Sequence, residues 1–284
     1  MLNILVGLFA LSVSLNSTVV SAESNAERYD ACVKAASKEY VEFDQLEAAT
    51  AIPLCQAAVA QIPDSGELMA SLARAFLKSE QYSEAFFWGN KSAQMGHYLG
   101  QFNLAWMYST GTGVSQSDVE AVRLYRLSAE QDFVFAQSNL GWMYLNGRGV
   151  TQSDTEAFQW YQLAAEQGLA GGQNTLGWMY SSGRGVVRNN AKAIRYFRLA
   201  ANQGNAGAQN NLGVAYENGD LLAEDLSIAL QWYQRAADQD YDGAEEAVER
   251  VSEKIRNEQI GDVLGDIAID VGTELLKCWL LDEC

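Results

Sequence analysis

The chain has 284 residues, of which 48% are hydrophobic, and this excludes a wholly disordered protein because a sizeable core can form. Its 36 acidic residues outnumber 19 lysines and arginines, and the resulting net charge of −17 disfavours nucleic acid and anionic lipid as partners. A single histidine excludes any site that needs two histidine ligands or a histidine dyad.

Residues 1–22 have the pattern of a secretory signal. They carry no charged side chain, and the apolar run from Ile4 to Leu15 precedes the small residues Val20-Ser21-Ala22. We predict cleavage after Ala22, which would leave a mature protein of residues 23–284 that is periplasmic or secreted. The alternative is an uncleaved anchor, but the run is shorter than the roughly 20 apolar residues that span a bilayer. No later segment is predicted to enter a membrane.

Export determines how the four cysteines are interpreted. In an oxidising compartment we expect disulfides rather than four inert thiols at Cys32, Cys55, Cys278 and Cys284. Pairing each cysteine with its neighbour in sequence closes the shortest loops. Cys278 and Cys284 lie on different faces of a straight helix, so a bond between them requires the helix to end near Leu280.

A 36-residue period organises residues 96–239 into four units. Leucine, tyrosine, glycine and alanine columns recur at this spacing, and the leucine column is Leu104, Leu140, Leu176 and Leu212. Each unit has two stretches of helical periodicity joined by a glycine turn. One helix pair cannot bury its apolar stripe alone, so we predict an all-α fold, a right-handed α-solenoid of stacked helix-turn-helix repeats.

The repeat strings are similar to those of a known family. Asn139–Tyr144, Gly147–Val150, Trp160-Tyr161 and Ala164–Gly168 closely resemble the Sel-one-like repeat, a relative of the tetratricopeptide repeat. The resemblance implies a non-catalytic scaffold, and exported members commonly regulate envelope or signalling proteins by direct contact. In the fourth repeat Leu221-Leu222 replaces the Gly-Val of the turn, so we expect a different loop there.

The flanking segments complete the predicted organisation. Residues 64–95 form a shortened tetratricopeptide-like repeat, and residues 23–63 form an N-terminal helical cap. This cap resembles the leader of some exported family members, and that resemblance implies a Cys32–Cys55 bridge. Residues 240–257 are predicted to be a capping helix.

Residues 258–284 are predicted to form an amphipathic acidic C-terminal tail. An apolar stripe that begins with Ile260, Val263 and Leu264 lies opposite an acidic row. We interpret the row as a solvated face, because a straight helix face cannot wrap Ca²⁺ with six to eight oxygens. The stripe is expected to pack back on the last repeat; a docking helix for a partner is the alternative.

The search for catalytic chemistry is negative. The sequence contains no H-E-x-x-H, G-x-x-x-x-G-K-[ST], G-x-S-x-G or S-x-x-K motif, so we predict no enzyme, no cofactor and no metal site. A cysteine-rich branch of the family is described as β-lactamase-like, but the repeats of this chain lack cysteine. His97 follows Gly96 at a repeat junction and is interpreted as a polar turn residue.

A tryptophan column, Trp106, Trp142 and Trp178, stands two positions after the core leucines and stops at Val214. If the packing resembles tetratricopeptide repeats, this column lines the concave groove. The neighbouring positions would line it too, namely Phe102, Ser138, Asn174, Asn210, Ser109, Leu145, Ser181 and Glu217. Aromatic anchors beside amides suit a peptide. Alternatively, the tryptophans only fill space between adjacent first helices.

We therefore predict an exported scaffold that binds a partner protein or peptide in the concave groove. The alternatives are an envelope enzyme acting on peptidoglycan or β-lactams, a structural accessory of an envelope machine, and an adaptor of the eukaryotic ER lumen.

Overall fold

The computed structural model describes residues 25–36 and 46–281, and these ranges contain helices and turns without a β-strand. The predicted all-α repeat fold is confirmed. The predicted signal peptide and the question whether Cys278 pairs with Cys284 lie outside what the structure describes.

The chain divides into two compact units, Met1–Trp160 and Tyr161–Cys284. The division falls within the helix Asp154–Glu166. The first unit contains α1 (25–36), α2 (Ala48–Gln61), α3 (Gly66–Lys78), α4 (Tyr82–Gln94), α5 (Tyr98–Thr110), α6 (Asp118–Ala129), α7 (Val134–Asn146) and the start of α8 (Asp154–Glu166). The second contains α9 (Ala170–Ser182), α10 (Asn190–Asn202), α11 (Ala206–Asn218), α12 (Leu226–Ala237) and α13 (Ala244–Leu281).

The repeated columns form the core of each unit. All four leucines of the column are at most 3% exposed, and the alanine column on the second helices is fully buried, at Ala121, Ala157, Ala193 and Ala229. Alanine has the smallest side chain that still favours a helix, so the paired helices can approach closely. Each pair contributes apolar surface that a neighbouring helix covers, as α6 and α7 show in the first unit and α10 and α11 in the second.

Residues of the repeated turns cap the helices at both ends. The Ser117 side chain accepts a hydrogen bond from the Glu120 amide at the start of α6, as the Asp225 side chain does from Ile228 at the start of α12. Each first helix of the four repeats ends at a glycine in the left-handed conformation, such as Gly147 with φ of 65°. The glycine column therefore ends each first helix.

Gly149, the second glycine of the turn after α7, makes a close backbone contact. Its φ is +67°, and a Cβ placed there would lie 2.2 Å from the Asp118 carbonyl oxygen. Gly168 also has a positive φ, of +91°, but a Cβ there would meet nothing within 4 Å. Both glycines thus have a positive φ, but only Gly149 approaches the backbone of another helix closely.

We expect Gly149→Ala to destabilise the protein clearly more than Gly168→Ala. The strain of a left-handed alanine alone costs about 1–2 kcal/mol and applies to both, whereas only Gly149→Ala must also move the α6 backbone. Chemical denaturation of both variants measures the difference. Equal losses would show that the contact at Gly149 is unimportant.

A disulfide joins α1 to α2. Cys32 and Cys55 are both fully buried, with a Cα–Cα distance of 4.6 Å and a sequence separation of 23. The pairing implied by the family resemblance is confirmed. The bridge lies within a cluster that includes Leu68 and Leu72 of α3, so it ties the N-terminal helices to the first repeat.

Removing this bridge should lower the free energy of unfolding by about 3 kcal/mol. The bridge joins residues with a sequence separation of 23 and so restricts the unfolded chain. The variant Cys32→Ser/Cys55→Ser is compared with the unchanged pair, both in a Cys278→Ser/Cys284→Ser background. A reductant should destabilise only the protein that retains Cys32 and Cys55. A reductant effect of equal size on both would contradict the assignment.

The predicted capping helix and C-terminal tail form one helix, α13, rather than two elements. At about 1.5 Å per residue its 38 residues extend roughly 57 Å. Ala244, Ala247 and Val251 in its first turns are buried against the last repeat. Further along, the stripe residues Ile260, Val263, Leu264 and Ile267 are each more than half exposed.

The expectation that this stripe packs back on the last repeat is therefore wrong for these four residues. The reason is length: α12 has 12 residues and covers only the start of a helix three times as long. Among the described residues, no helix is both long enough and apolar enough to cross a membrane.

Candidate partner-binding surface

Two tryptophans of the column lie on the surface of the first unit. Trp106 on α5 is 38% exposed and Trp142 on α7 is 43% exposed. Each stands two residues, or about 200° of helical turn, after a buried leucine, which directs it away from the core. Both rings are therefore partly exposed and neither is fully buried in the core. In the second unit Trp178 on α9 is half-buried.

The neighbouring polar positions are partly exposed. Ser109 and Ser181 each donate a hydrogen bond to the carbonyl of the preceding tryptophan, Trp106 or Trp178, at 2.9 Å. Asn174 accepts a hydrogen bond from Asn211 at 2.9 Å. The remaining predicted positions Ser138, Leu145 and Asn210 are half-buried.

Arginines from the glycine turns stack on two of the tryptophans. The Arg148 guanidinium lies 5.1 Å from the Trp142 ring, and the Arg184 guanidinium lies 5.2 Å from the Trp178 ring. Such contacts contribute about 0.5–1 kcal/mol at exposed sites. These pairs were not predicted from the sequence, although an arginine six residues after a tryptophan recurs in both repeats.

Arg148 is itself held in place by a carboxylate. Its Nε and Nη2 donate to the two carboxylate oxygens of Asp118 at 2.9 and 2.6 Å. This bidentate bond holds the guanidinium and raises the pKa of Arg148. The arginine thus stabilises the Trp142 ring in one orientation before any partner arrives.

Phe102 and Glu217, both predicted as groove residues, are buried instead. Phe102 is 8% exposed and its ring packs on Tyr125 and Phe133, at centroid distances of 5.7 and 5.1 Å. The corresponding positions in later repeats carry serine or asparagine, so only the phenylalanine is drawn into the core. Both side chains therefore stabilise the fold and do not line the groove.

Glu217 fastens α13 to the last repeat. Its carboxylate is 7% exposed and accepts hydrogen bonds from Arg250 at 2.8 and 3.1 Å and from the Tyr233 hydroxyl at 2.8 Å, with Lys254 at 3.5 Å. The hydrogen bonds from Arg250, joined by that of Tyr233, lower the pKa of Glu217 to about 2. Burial raises the pKa of Tyr233, and the hydrogen bond and negative charge of Glu217 raise it further.

Glu217→Gln should lower the free energy of unfolding by about 1–3 kcal/mol at neutral pH, since it weakens hydrogen bonds between charged groups. The folded pKa lies below the ordinary value of 4.5, so this stabilisation is complete above that value and is lost as the pH falls toward 2. Denaturation of wild type and variant from pH 7 to 3 should show the two converging.

The matched control is Glu253→Gln, which removes an exposed carboxylate from the same helix α13. It should change stability little at any pH. A constant difference between wild type and Glu217→Gln across the pH range would contradict the proposed role of the charge.

His97 precedes α5 and stacks on Tyr98 with the centroids 4.7 Å apart. Its Nδ1 is buried without a hydrogen-bond partner among the described residues, and burial lowers the pKa of the ring. The residue occupies a turn between α4 and α5, as predicted.

A family comparison identifies the repeats. The Sel1 repeat model matches residues 69–97, 99–133, 134–169, 170–205 and 206–241. The chain belongs to the Sel1 repeat family. The first match covers most of the segment that its spacing predicts as a shortened tetratricopeptide-like unit, so that unit is a Sel1 repeat too.

Solved Sel1 repeat structures support the assignment. The chain is similar to a Sel1 repeat protein from Oxalobacter formigenes, with 28% identity, a TM-score of 0.65, and coverage of 73% of this chain and 85% of that one. It is also similar to c5321, a protective antigen of uropathogenic Escherichia coli strains with an SLR fold. There the identity is 28%, the TM-score 0.69, and the coverage 84% of this chain and 52% of that one. The comparison with curated proteins finds no match.

Sel1 repeat proteins typically mediate protein–protein interactions, and the fold is generally a non-catalytic scaffold. The described residues contain no cluster of histidine, cysteine and carboxylate groups that could hold a metal ion.

Proposed function

We propose that this protein is an exported, non-catalytic scaffold that binds a partner protein or peptide in the concave groove of its repeats. The observation that carries the proposal is the exposure of Trp106 and Trp142 at equivalent positions of successive repeats in the first unit. Tryptophan is highly buried on average, and it is enriched among the interface residues that contribute most of the binding energy.

The surface around these rings suits an extended or helical segment. Trp142 is held by Arg148, so little conformational freedom is lost when a partner covers it. Ser138 and Leu145 lie one helical turn before and three residues after Trp142 and are partly exposed. The partner would bury apolar side chains on the rings and form hydrogen bonds with the polar neighbours.

Two features support export. The N-terminal sequence has the pattern of a secretory signal. The buried Cys32–Cys55 disulfide suits an oxidising compartment such as the periplasm or the cell exterior. With this location, the partner would be an envelope or signalling protein that the scaffold regulates or assembles.

The variant Trp106→Ala/Trp142→Ala should remain folded and lose its partner. Both rings are partly exposed in the folded protein, and a tryptophan at the centre of an interface contributes about 2 kcal/mol or more to binding. A pull-down from native envelope extract with mature protein 23–284 compares the variant with wild type. Circular dichroism first establishes that both fold.

The control is Leu127→Ala, which removes an apolar side chain of similar exposure, 38%, from a second helix, α6. It should retain the partner. A partner kept equally by all three proteins would contradict the proposed surface, and unfolding of the tryptophan variant would show that the rings are structural.

A further inference from the structure

The second unit contains an open cavity of about 280 Å³ beside Trp178. Its apolar wall includes Trp178, Phe197, Val214 and Leu221, and its charged residues are Arg188 and Asp220. Phe197 is buried and belongs to the core, whereas Val214 is 39% exposed. The cavity therefore opens to solvent, and the polar residues Ser181, Asn211 and Asn218 line it beside the apolar ones.

The repeat register explains why a cavity lies here. Val214 stands 36 residues after Trp178, at the position that holds tryptophan in the three preceding repeats. Asp220 stands 36 residues after Arg184, at the position whose arginine stacks on the tryptophan in the two preceding repeats. In the last repeat both members of the ring–cation pair are thus replaced, one by a smaller side chain and the other by the opposite charge.

One acidic and one basic residue border the cavity, and they differ in their hydrogen-bond partners. Asp220 is exposed, and its carboxylate forms no ion pair with any described residue, although its carbonyl accepts a hydrogen bond from Asn190 at 3.1 Å. The guanidinium of Arg188 donates through Nε to the Asn190 side chain at 3.1 Å. The net charge of −17 attracts cationic segments over distance. A cation next to an aromatic ring would therefore restore the missing pair.

We propose that this cavity is a docking pocket for an aromatic side chain, tryptophan above all, carried by a cationic segment of a partner protein. The inference rests on the proposed partner-binding function and adds the chemistry of the segment that is recognised. The partner ring would occupy the position of the missing indole beside Trp178, and a neighbouring lysine or arginine would pair with Asp220. An aromatic side chain buries about 150–250 Å² when covered.

The probes are three capped tripeptides, acetyl-Lys-Trp-Lys-amide, acetyl-Glu-Trp-Glu-amide and acetyl-Lys-Ala-Lys-amide. Each is titrated into isotope-labelled mature protein and followed by NMR at the Trp178 indole and the Val214 methyl groups. We expect saturable shifts with the Lys-Trp-Lys peptide, weaker ones with the Glu-Trp-Glu peptide, and none with the Lys-Ala-Lys peptide.

Val214→Trp fills the pocket with the side chain that three other repeats carry, and it should weaken binding of the Lys-Trp-Lys peptide about tenfold or more, because the ring of the peptide is excluded. If Val214→Trp does not fold, Val214→Leu replaces it; leucine fills the pocket in part and should give an intermediate loss of binding. The control is Val119→Trp, which adds the same side chain at a site that is 65% exposed, and it should leave binding unchanged.

Asp220→Asn tests the charge separately. It should reduce the preference for the lysine over the glutamate peptide about two- to fivefold, the effect of an exposed ion pair. The proposal is overturned if no peptide shifts these resonances or if Val214→Trp binds as wild type does. A pull-down partner lost by Trp106→Ala/Trp142→Ala but kept by Val214→Trp would overturn this inference alone, whereas no partner in any arm would count against the scaffold function.

Discussion

The close approach of paired helices at the alanine column is the contact on which the rest of each unit depends. A fully buried alanine on the second helix leaves room for the neighbouring helix. The leucines of the first helices can then be covered almost completely. Since no single pair buries its own stripe, each repeat is stabilised by its neighbours rather than by itself. The surface positions are free to vary once this contact is made.

The buried columns could be predicted from the sequence, whereas the exposure of the surface residues could not. The buried columns recur because the same packing recurs, so Leu104, Leu140 and their counterparts were recognisable from spacing alone. The exposure of Trp106 and Trp142 was not, because periodicity reports that a position is repeated and not whether a neighbour covers it. The angle between tryptophan and leucine on the helix was the available signal.

The departures from prediction occur where a repeat meets a residue that the other repeats lack. Phe102 lies in the repeat that follows the shortened unit and Glu217 in the one that precedes α13, and each side chain is directed inward by a neighbour that no other repeat has. The sequence predicts a capping helix and a separate tail where the structure has the single helix α13. The reason is that the first part of α13 follows the phase of the repeats and the second part does not. Such departures cannot be predicted from a repeat period, because they depend on neighbouring residues that do not recur at that period.

The carboxylate of Glu217 has a consequence for how such a chain can change length. A complete repeat duplicated between others would find the same helical faces before and after it. A repeat inserted after Asn218 would instead separate Glu217 from Arg250 and Lys254 and leave a buried charge uncompensated. We therefore expect duplication or deletion of a repeat to cost less stability inside the series of repeats than at its C-terminal boundary.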